Sequence, residues 1–225
     1  MITRLVVQMT LWFAFMAALL FGGAGTLRWA SGWWFLLEWA ALGMWLGLWL
    51  ARYDPGLLAE RLAPIVQPKQ SRWDRVFMIY VGIVWTAWMI LMGLDGGRFH
   101  WSVVPGWLQA VGALGIFLCI YACRFVFRAN SFAAPVVKIQ AERGHKVCDT
   151  GPYAWVRHPM YAAALPFLAG TPLLLGSWWG LAGVPLLMAG IAYRAVREER
   201  MLREQLEGYA EYAARVRYRF VPYIW

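Results

Sequence analysis

Several stretches of this chain run for 15 to 20 residues almost without charge, among them Leu5 to Ala24, Trp33 to Leu50 and Val76 to Leu94. Their apolar residues are continuous rather than alternating, which selects helices over the strands of a membrane barrel. Hydrophobic residues make up 61% of the 225-residue chain. Charged residues make up only 15%, against about 25% in soluble domains. So much apolar surface cannot be hidden inside one soluble core of this length. It must face lipid, where only helices and closed barrels satisfy their own backbone groups. The predicted fold is therefore all-α, a polytopic transmembrane helical bundle.

Turn signals divide the bundle. Gly22-Gly23-Ala24-Gly25 closes the first span, and Asp95-Gly96-Gly97 closes the third. A fourth begins near Pro105-Gly106 and reaches about Phe127. Between the second and third, Leu57, Leu58, Leu62 and Ile65 recur at helical spacing after Asp54-Pro55-Gly56 and suggest a short interfacial helix. Tyr161 to Ala192 is apolar for 32 residues. One straight helix of that length would measure about 48 Å, longer than the bilayer core of about 30 Å. Thr171-Pro172 and Gly176-Ser177 near its middle predict two shorter helices, 161–175 and 178–194. This makes about six membrane helices, or five if the last pair forms a non-crossing hairpin. An amphipathic helix follows in the charged tail from Arg194 to Arg219, with Met201, Leu202, Leu206 and Tyr209 on its apolar face.

Net charge is +9, and its placement is more informative than its sum. One basic cluster comprises Arg52, Arg61, Lys69, Arg72 and Arg75; a second comprises Arg124, Arg128, Lys138, Arg143, Lys146 and Arg157. A third lies between Arg194 and Arg219, leaving only Arg4, Arg28 and Arg98 elsewhere. The positive-inside rule puts all three clusters, and both termini, on the cytoplasmic side. Basic residues interleaved with acids at membrane edges argue against nucleic-acid binding. Cys119, Cys123 and Cys148 form no disulfide framework or zinc motif, and three scattered histidines without HExxH argue against a metal site. No G-x-G-x-x-G opens a βαβ unit, and no G-x-S-x-G is present.

One polar island needs a chemical reason: Gly151-Pro152-Tyr153-Ala154-Trp155-Val156-Arg157-His158-Pro159-Met160-Tyr161. Proline suits the first turn of a helix, so Pro159 places Arg157 and His158 at a helix N-terminus, where free amides attract a carboxylate. Gly151-Pro152 makes a turn that lets backbone approach a ligand closely. Glu198 and Glu199 follow the last span near the same membrane face. Adjacent residues of a helix diverge by about 100°, so at most one of them faces a pocket squarely. Snorkelling of Arg157 and His158 to lipid phosphates, and Glu–Arg pairing along the tail helix, are the plainer explanations.

The stretch from Gly144-His145-Lys146-Val147-Cys148-Asp149-Thr150 through Tyr161 resembles the signature of the isoprenylcysteine carboxyl methyltransferase family, a version of which the phospholipid N-methyltransferases share. The tail from Glu198-Glu199-Arg200-Met201-Leu202 through Tyr209, Tyr212, Arg215-Val216 and Pro222 is similar to theirs as well. Ala162-Ala163 departs from the family, where a glycine commonly stands at the second position. The resemblance implies an integral-membrane methyltransferase that uses S-adenosylmethionine without metal. It implies a catalytic, cofactor-binding region at 129–225 and an N-terminal four-helix region at 1–128 that binds the acceptor. His145, Gly151, Tyr153, Arg157, His158, Pro159, Tyr161, Glu198 and Glu199 would bind the cofactor, with Arg157, His158 and Glu199 catalytic. The expected partners are membrane lipid and a lipophilic methyl acceptor, such as an isoprenylcysteine carboxylate, a phospholipid amine or a related small molecule. The expected setting is a bacterial inner membrane or an ER membrane.

Two other classes compete. A membrane reductase of sterol-like lipids would need more cationic or glycine-rich contacts for NADPH than the island offers. A transporter or assembly protein would place ionisable groups near mid-membrane, and the spans carry very few. The residues leave open the acceptor, the atom methylated and the oligomeric state.

Overall fold

The computed structural model describes residues 1–67 and 70–225, so Lys69 of the first basic cluster lies outside the described residues. Among these the chain is helical, with no strand. Five helical stretches are long and apolar enough to cross a membrane: Ile2–Ala24, Ala30–Tyr53, Arg72–Phe99, Gly106–Ala129 and Trp178–Gln205. Named in chain order, α1 is Ile2–Ala24, α2 Ala30–Tyr53 and α3 Pro55–Arg61. Next come α4, Arg72–Met92, which winds into a π-helical segment over Gly93–Phe99, and α5, Gly106–Ala129. The C-terminal part holds α6 (Pro159–Leu175), α7 (Trp178–Ala182), α8 (Val184–Gln205) and α9 (Tyr209–Arg215).

The stops and starts follow local chemistry. Gly25 caps α1 in the left-handed region, its N–H donating to Phe21 O. Asp54 Oδ1 accepts from Leu57 N at the start of α3, where Pro55 fills the first turn. At 17 residues α6 spans only about 25 Å. It nevertheless joins the two ends of the bundle: it starts beside the loop that follows α5, and just past its C-terminus Ser177 Oγ donates to Asp95 Oδ2 (2.6 Å). Asp95, fully buried, also accepts from the Ser102 amide and hydroxyl, which ties together the ends of α4, α5 and α6 away from the basic clusters.

α5 and α6 lie backbone to backbone. A Cβ on Gly112 would sit 2.5 Å from Gly170 O, and one on Gly170 would sit 2.4 Å from Gly112 O. Around this pair Leu20, Leu36, Met89, Met92, Ile116 and Leu175 form the buried centre. The short helix α3 differs from expectation in its surroundings. Leu57, Leu58 and Leu62 face the protein, packed with Leu5, Leu50, Val126 and Phe127 rather than lipid. Arg61 explains the orientation: its guanidinium lies over the Phe127 ring and donates to Ala133 O, which draws the helix inward.

The tail also differs from expectation. The charged segment does not form a separate helix, because α8 runs from the apolar span straight through Glu198 and Glu199 to Gln205. It breaks at Leu206–Gly208, Gly208 adopting a left-handed φ of 77°, and α9 follows. The described basic residues of the three clusters gather at one end of the bundle, where Lys138 meets Glu60, Arg61 donates to Ala133 O and Arg194 meets Asp74. Arg4 joins them there, donating to Leu62 O.

Candidate functional site

The polar island is built in two pieces. Gly151–Ala154 forms a single 3₁₀ turn, which Gly151 enters at φ 57°, a conformation that disfavours a side chain. Arg157 and His158 then lead into α6, with His158 as N-cap and Pro159 in the first turn. Their backbone amides donate to Tyr218 O and Arg219 O, both at 2.9 Å, so the chain's last segment is stitched to the start of α6.

Glu198 and Glu199 diverge as adjacent helical residues must. Glu199, 3% exposed, accepts from Arg157 Nε at 2.7 Å and Nη2 at 3.3 Å. His158 Nε2 lies 3.1 Å from the same carboxylate; a carboxylate only accepts, so the histidine donates from Nε2. Arg157 Nη1 donates to Val216 O and Arg217 O. Four of its five N–H donors are thus engaged by protein, and the guanidinium works as a clamp between α8, α6 and the final segment. Glu198 turns the other way and accepts from Tyr161 OH at 2.8 Å. The Tyr161 ring stacks on His158 (5.2 Å between centroids, 11° between planes) and meets Phe220 edge-on.

Beside these groups lies a cavity of about 820 Å³ counting its open mouth. His145, Tyr153, Arg157, His158, Tyr161 and Glu198 line it. Gly151, Pro159 and Glu199 do not: the first shapes the turn, the second starts α6, and the third stands behind Arg157 and His158. Asn130, Phe132, Arg194, Tyr209 and Tyr212 line it too, without having been assigned to the site from sequence. For the two tail tyrosines the signal was a pair of aromatics three residues apart after a glycine.

The walls are held by local bonds. Asn130 Nδ2 donates to Tyr153 OH at 2.9 Å, and Tyr212 OH donates to Tyr153 O at 2.8 Å. Burial pushes the phenols of Tyr153, Tyr209 and Tyr212 upward, so all three stay protonated. Burial, with Arg143 nearby, lowers the His145 pKa to about 4. The neutral ring stacks on Phe132 and accepts from the Gln140 amide through Nδ1 (3.3 Å). Tyr209 OH is buried without a hydrogen-bond partner, although its side chain lines the cavity.

Behind Arg194 stands a residue that sequence reasoning missed. Asp74, fully buried, accepts from Gln70 Nε2 (2.8 Å), Val137 N (2.9 Å) and Arg194 Nε (3.1 Å). It fastens the 130–140 loop and α8 to the foot of α4. In the sequence it is simply an acid in the first turn of a helix, where the dipole alone would account for it.

Apolar helices long enough to cross a membrane thus meet a polar, aromatic cavity at the basic end of the bundle. Residues 107–208 match the family model for phospholipid methyltransferase (PEMT). That match agrees with the isoprenylcysteine carboxyl and phospholipid methyltransferase group that the sequence resembles, and it supports a membrane methyltransferase acting on lipid-like substrates. No curated protein matches the chain significantly. Among the described residues no group of three or more His, Cys, Asp or Glu side chains is arranged to hold a metal.

Proposed function

We propose that the cavity binds S-adenosylmethionine and that the protein transfers its methyl group to an amphiphilic acceptor reaching the site from the bilayer. The observation that carries this reading is the makeup of one cavity wall. Glu198, oriented by Tyr161, lines the cavity together with Tyr209, whose buried hydroxyl has no protein partner, and with Phe132, Tyr153 and Tyr212. A carboxylate suits an ammonium group, the Tyr209 hydroxyl suits a polar ligand atom, and the flat faces suit a purine. These residues fit the cofactor.

The bound cofactor supplies a methyl group already activated as a sulfonium. What remains for the protein is alignment of the acceptor with that methyl, and exclusion of water. Met201, Leu202 and Leu206 give the cavity an apolar side. The Arg157–Glu199–His158 cluster keeps the wall rigid from behind, so Arg157 and Glu199 act by positioning. For an amine acceptor, Glu198 or His158 is the group placed to take a proton. For a carboxylate acceptor, Arg194 is one of the cations that line the cavity. In this reading residues 129–225 hold the cofactor and residues 1–128 present the acceptor. The gathering of basic residues at one end supports a cytoplasmic orientation for that end and for both termini.

Calorimetric titration of purified protein with S-adenosylmethionine, S-adenosylhomocysteine and NADPH tests the cofactor; selective NADPH binding overturns the reading. Incubation with labelled cofactor and a membrane lipid extract then identifies the acceptor from the labelled product.

A further inference from the structure

The exposed stripe of α8 runs without a break from apolar to basic. Leu186, Tyr193 and Val196 are exposed along it, and Arg200 and Arg203 continue the same face at helical spacing. An open groove that shares no lining residue with the cavity lies at this changeover. It is lined by Val196, Glu199, Arg200, Arg203, Glu204 and Arg219. The Glu199 charge is already matched by Arg157, so three arginines share the groove with one further carboxylate. Among the described residues Arg200 and Arg203 have no ion-pair partner. Arg219 lies 3.2 Å from Glu199 Oε1, and its Nε is buried without a hydrogen bond.

The depth of the groove is set by its neighbours. Phe220 packs on Ala195 and Tyr161, which fixes the chain's last segment against α8 next to Val196, the last exposed apolar residue of the stripe. From that anchored segment Tyr223 and Ile224 project, 90% and 79% exposed, and the Arg219 guanidinium lies 4.8 Å over the Trp225 ring. Apolar tips flanking a cationic groove at the end of a lipid-facing stripe match the layering of a bilayer's edge, acyl chain below and phosphate above.

We propose that the Arg200–Arg203–Arg219 groove holds the phosphate of an anionic bilayer lipid, with Tyr223 and Ile224 lying among the adjoining acyl chains. The site is separate from the cavity and does not rest on the methyl-transfer reading. Through Arg219 and its carbonyl, which accepts from His158 N, an occupying lipid would brace the segment stitched to the start of α6.

Native mass spectrometry of the detergent-purified full chain, without cofactor, titrated with phosphatidylglycerol or phosphatidylcholine, tests this. Preferential retention of phosphatidylglycerol is expected, reduced on the order of tenfold in an Arg200→Gln/Arg203→Gln double variant. An Arg52→Gln/Arg128→Gln pair, exposed at the same end, is expected to retain the lipid as the unaltered protein does. Unchanged retention in the first variant, equal loss in both, equal retention of the two lipids, or displacement by inorganic phosphate at the lipid's concentration overturns the proposal. Unaltered S-adenosylmethionine binding by the double variant is expected and separates this outcome from failure of the cofactor reading.

Discussion

Glu199 Oε1 lies 2.7 Å from Arg157 Nε, a contact that joins α8 to the start of α6 across 42 residues of sequence. Both side chains are almost fully buried, at 5% and 4% exposed. Glu199→Gln removes the charge and leaves the Arg157 guanidinium uncompensated. Breaking a buried pair in this way costs about 3–5 kcal/mol. A large fall in the thermal midpoint of the purified protein is expected for this variant but not for Glu198→Gln, and equal falls in both would show that Arg157 does not depend on Glu199.

Glu198→Gln is expected to act on binding instead. It keeps the size of the side chain and a possible bond to Tyr161 OH, but presents no negative charge to the cavity. S-adenosylmethionine affinity should fall by roughly ten- to a hundredfold, since one charge-assisted bond is worth about 1.5–3 kcal/mol. Calorimetry on a variant of unchanged thermal midpoint reads this directly.

Tyr209→Phe deletes a buried hydroxyl that has no protein partner. Removing it should leave stability unchanged or slightly raised, because an unsatisfied buried polar group costs about 1–3 kcal/mol. Cofactor affinity should fall severalfold at the same time. A variant that loses stability would mean the hydroxyl is bonded within the protein.

His145 has a folded-state pKa of about 4, below the ordinary histidine value of about 6.5. Its neutral form is therefore the one folding favours. The contribution is fully present above pH 6.5 and is lost as pH falls from there toward 4. The stability difference between the unaltered protein and His145→Gln should shrink over that window, as read from thermal midpoints at stepped pH. A histidine ring signal titrating near 6.5 and assigned to His145 would contradict it.

Gly170→Ala places a methyl 2.4 Å from Gly112 O and should force α5 and α6 apart, whereas Gly22→Ala in α1 meets nothing within 4 Å. Overpacking of this sort costs about 1–3 kcal/mol. Replacing a mid-helix glycine with alanine in open space gains roughly 0.5–1 kcal/mol. Opposite shifts in thermal midpoint are expected, and equal shifts would sink the backbone-contact account.

Much of the bundle was legible because lipid makes a blunt demand. A continuous apolar run has to be helix, and Gly25, Pro55, Pro159 and Gly176 mark its ends by backbone conformation alone. Divergence of Glu198 from Glu199 was likewise readable, since it follows from helical pitch. Their destinations were not. The tail was expected to form its own amphipathic helix, yet nothing in Arg194–Gln205 breaks the helix it continues. α3 was read as lying on the membrane, because the apolar face that meets lipid and the one that meets Phe127 look alike in sequence.

The sequence by itself determined that this chain is a membrane-embedded helical protein with one polar island carrying arginine, histidine and tyrosine. Those traits depend on local propensity and on water's exclusion of apolar surface. Only the tertiary structure decided that Glu198 faces the cavity while Glu199 anchors Arg157, that Asp74 fastens the loop beside it, and that Tyr209 and Tyr212 close its wall. Each of these depends on contacts between residues far apart in the chain, whose direction is set by how helices rotate and pack, and a single sequence carries no record of that rotation.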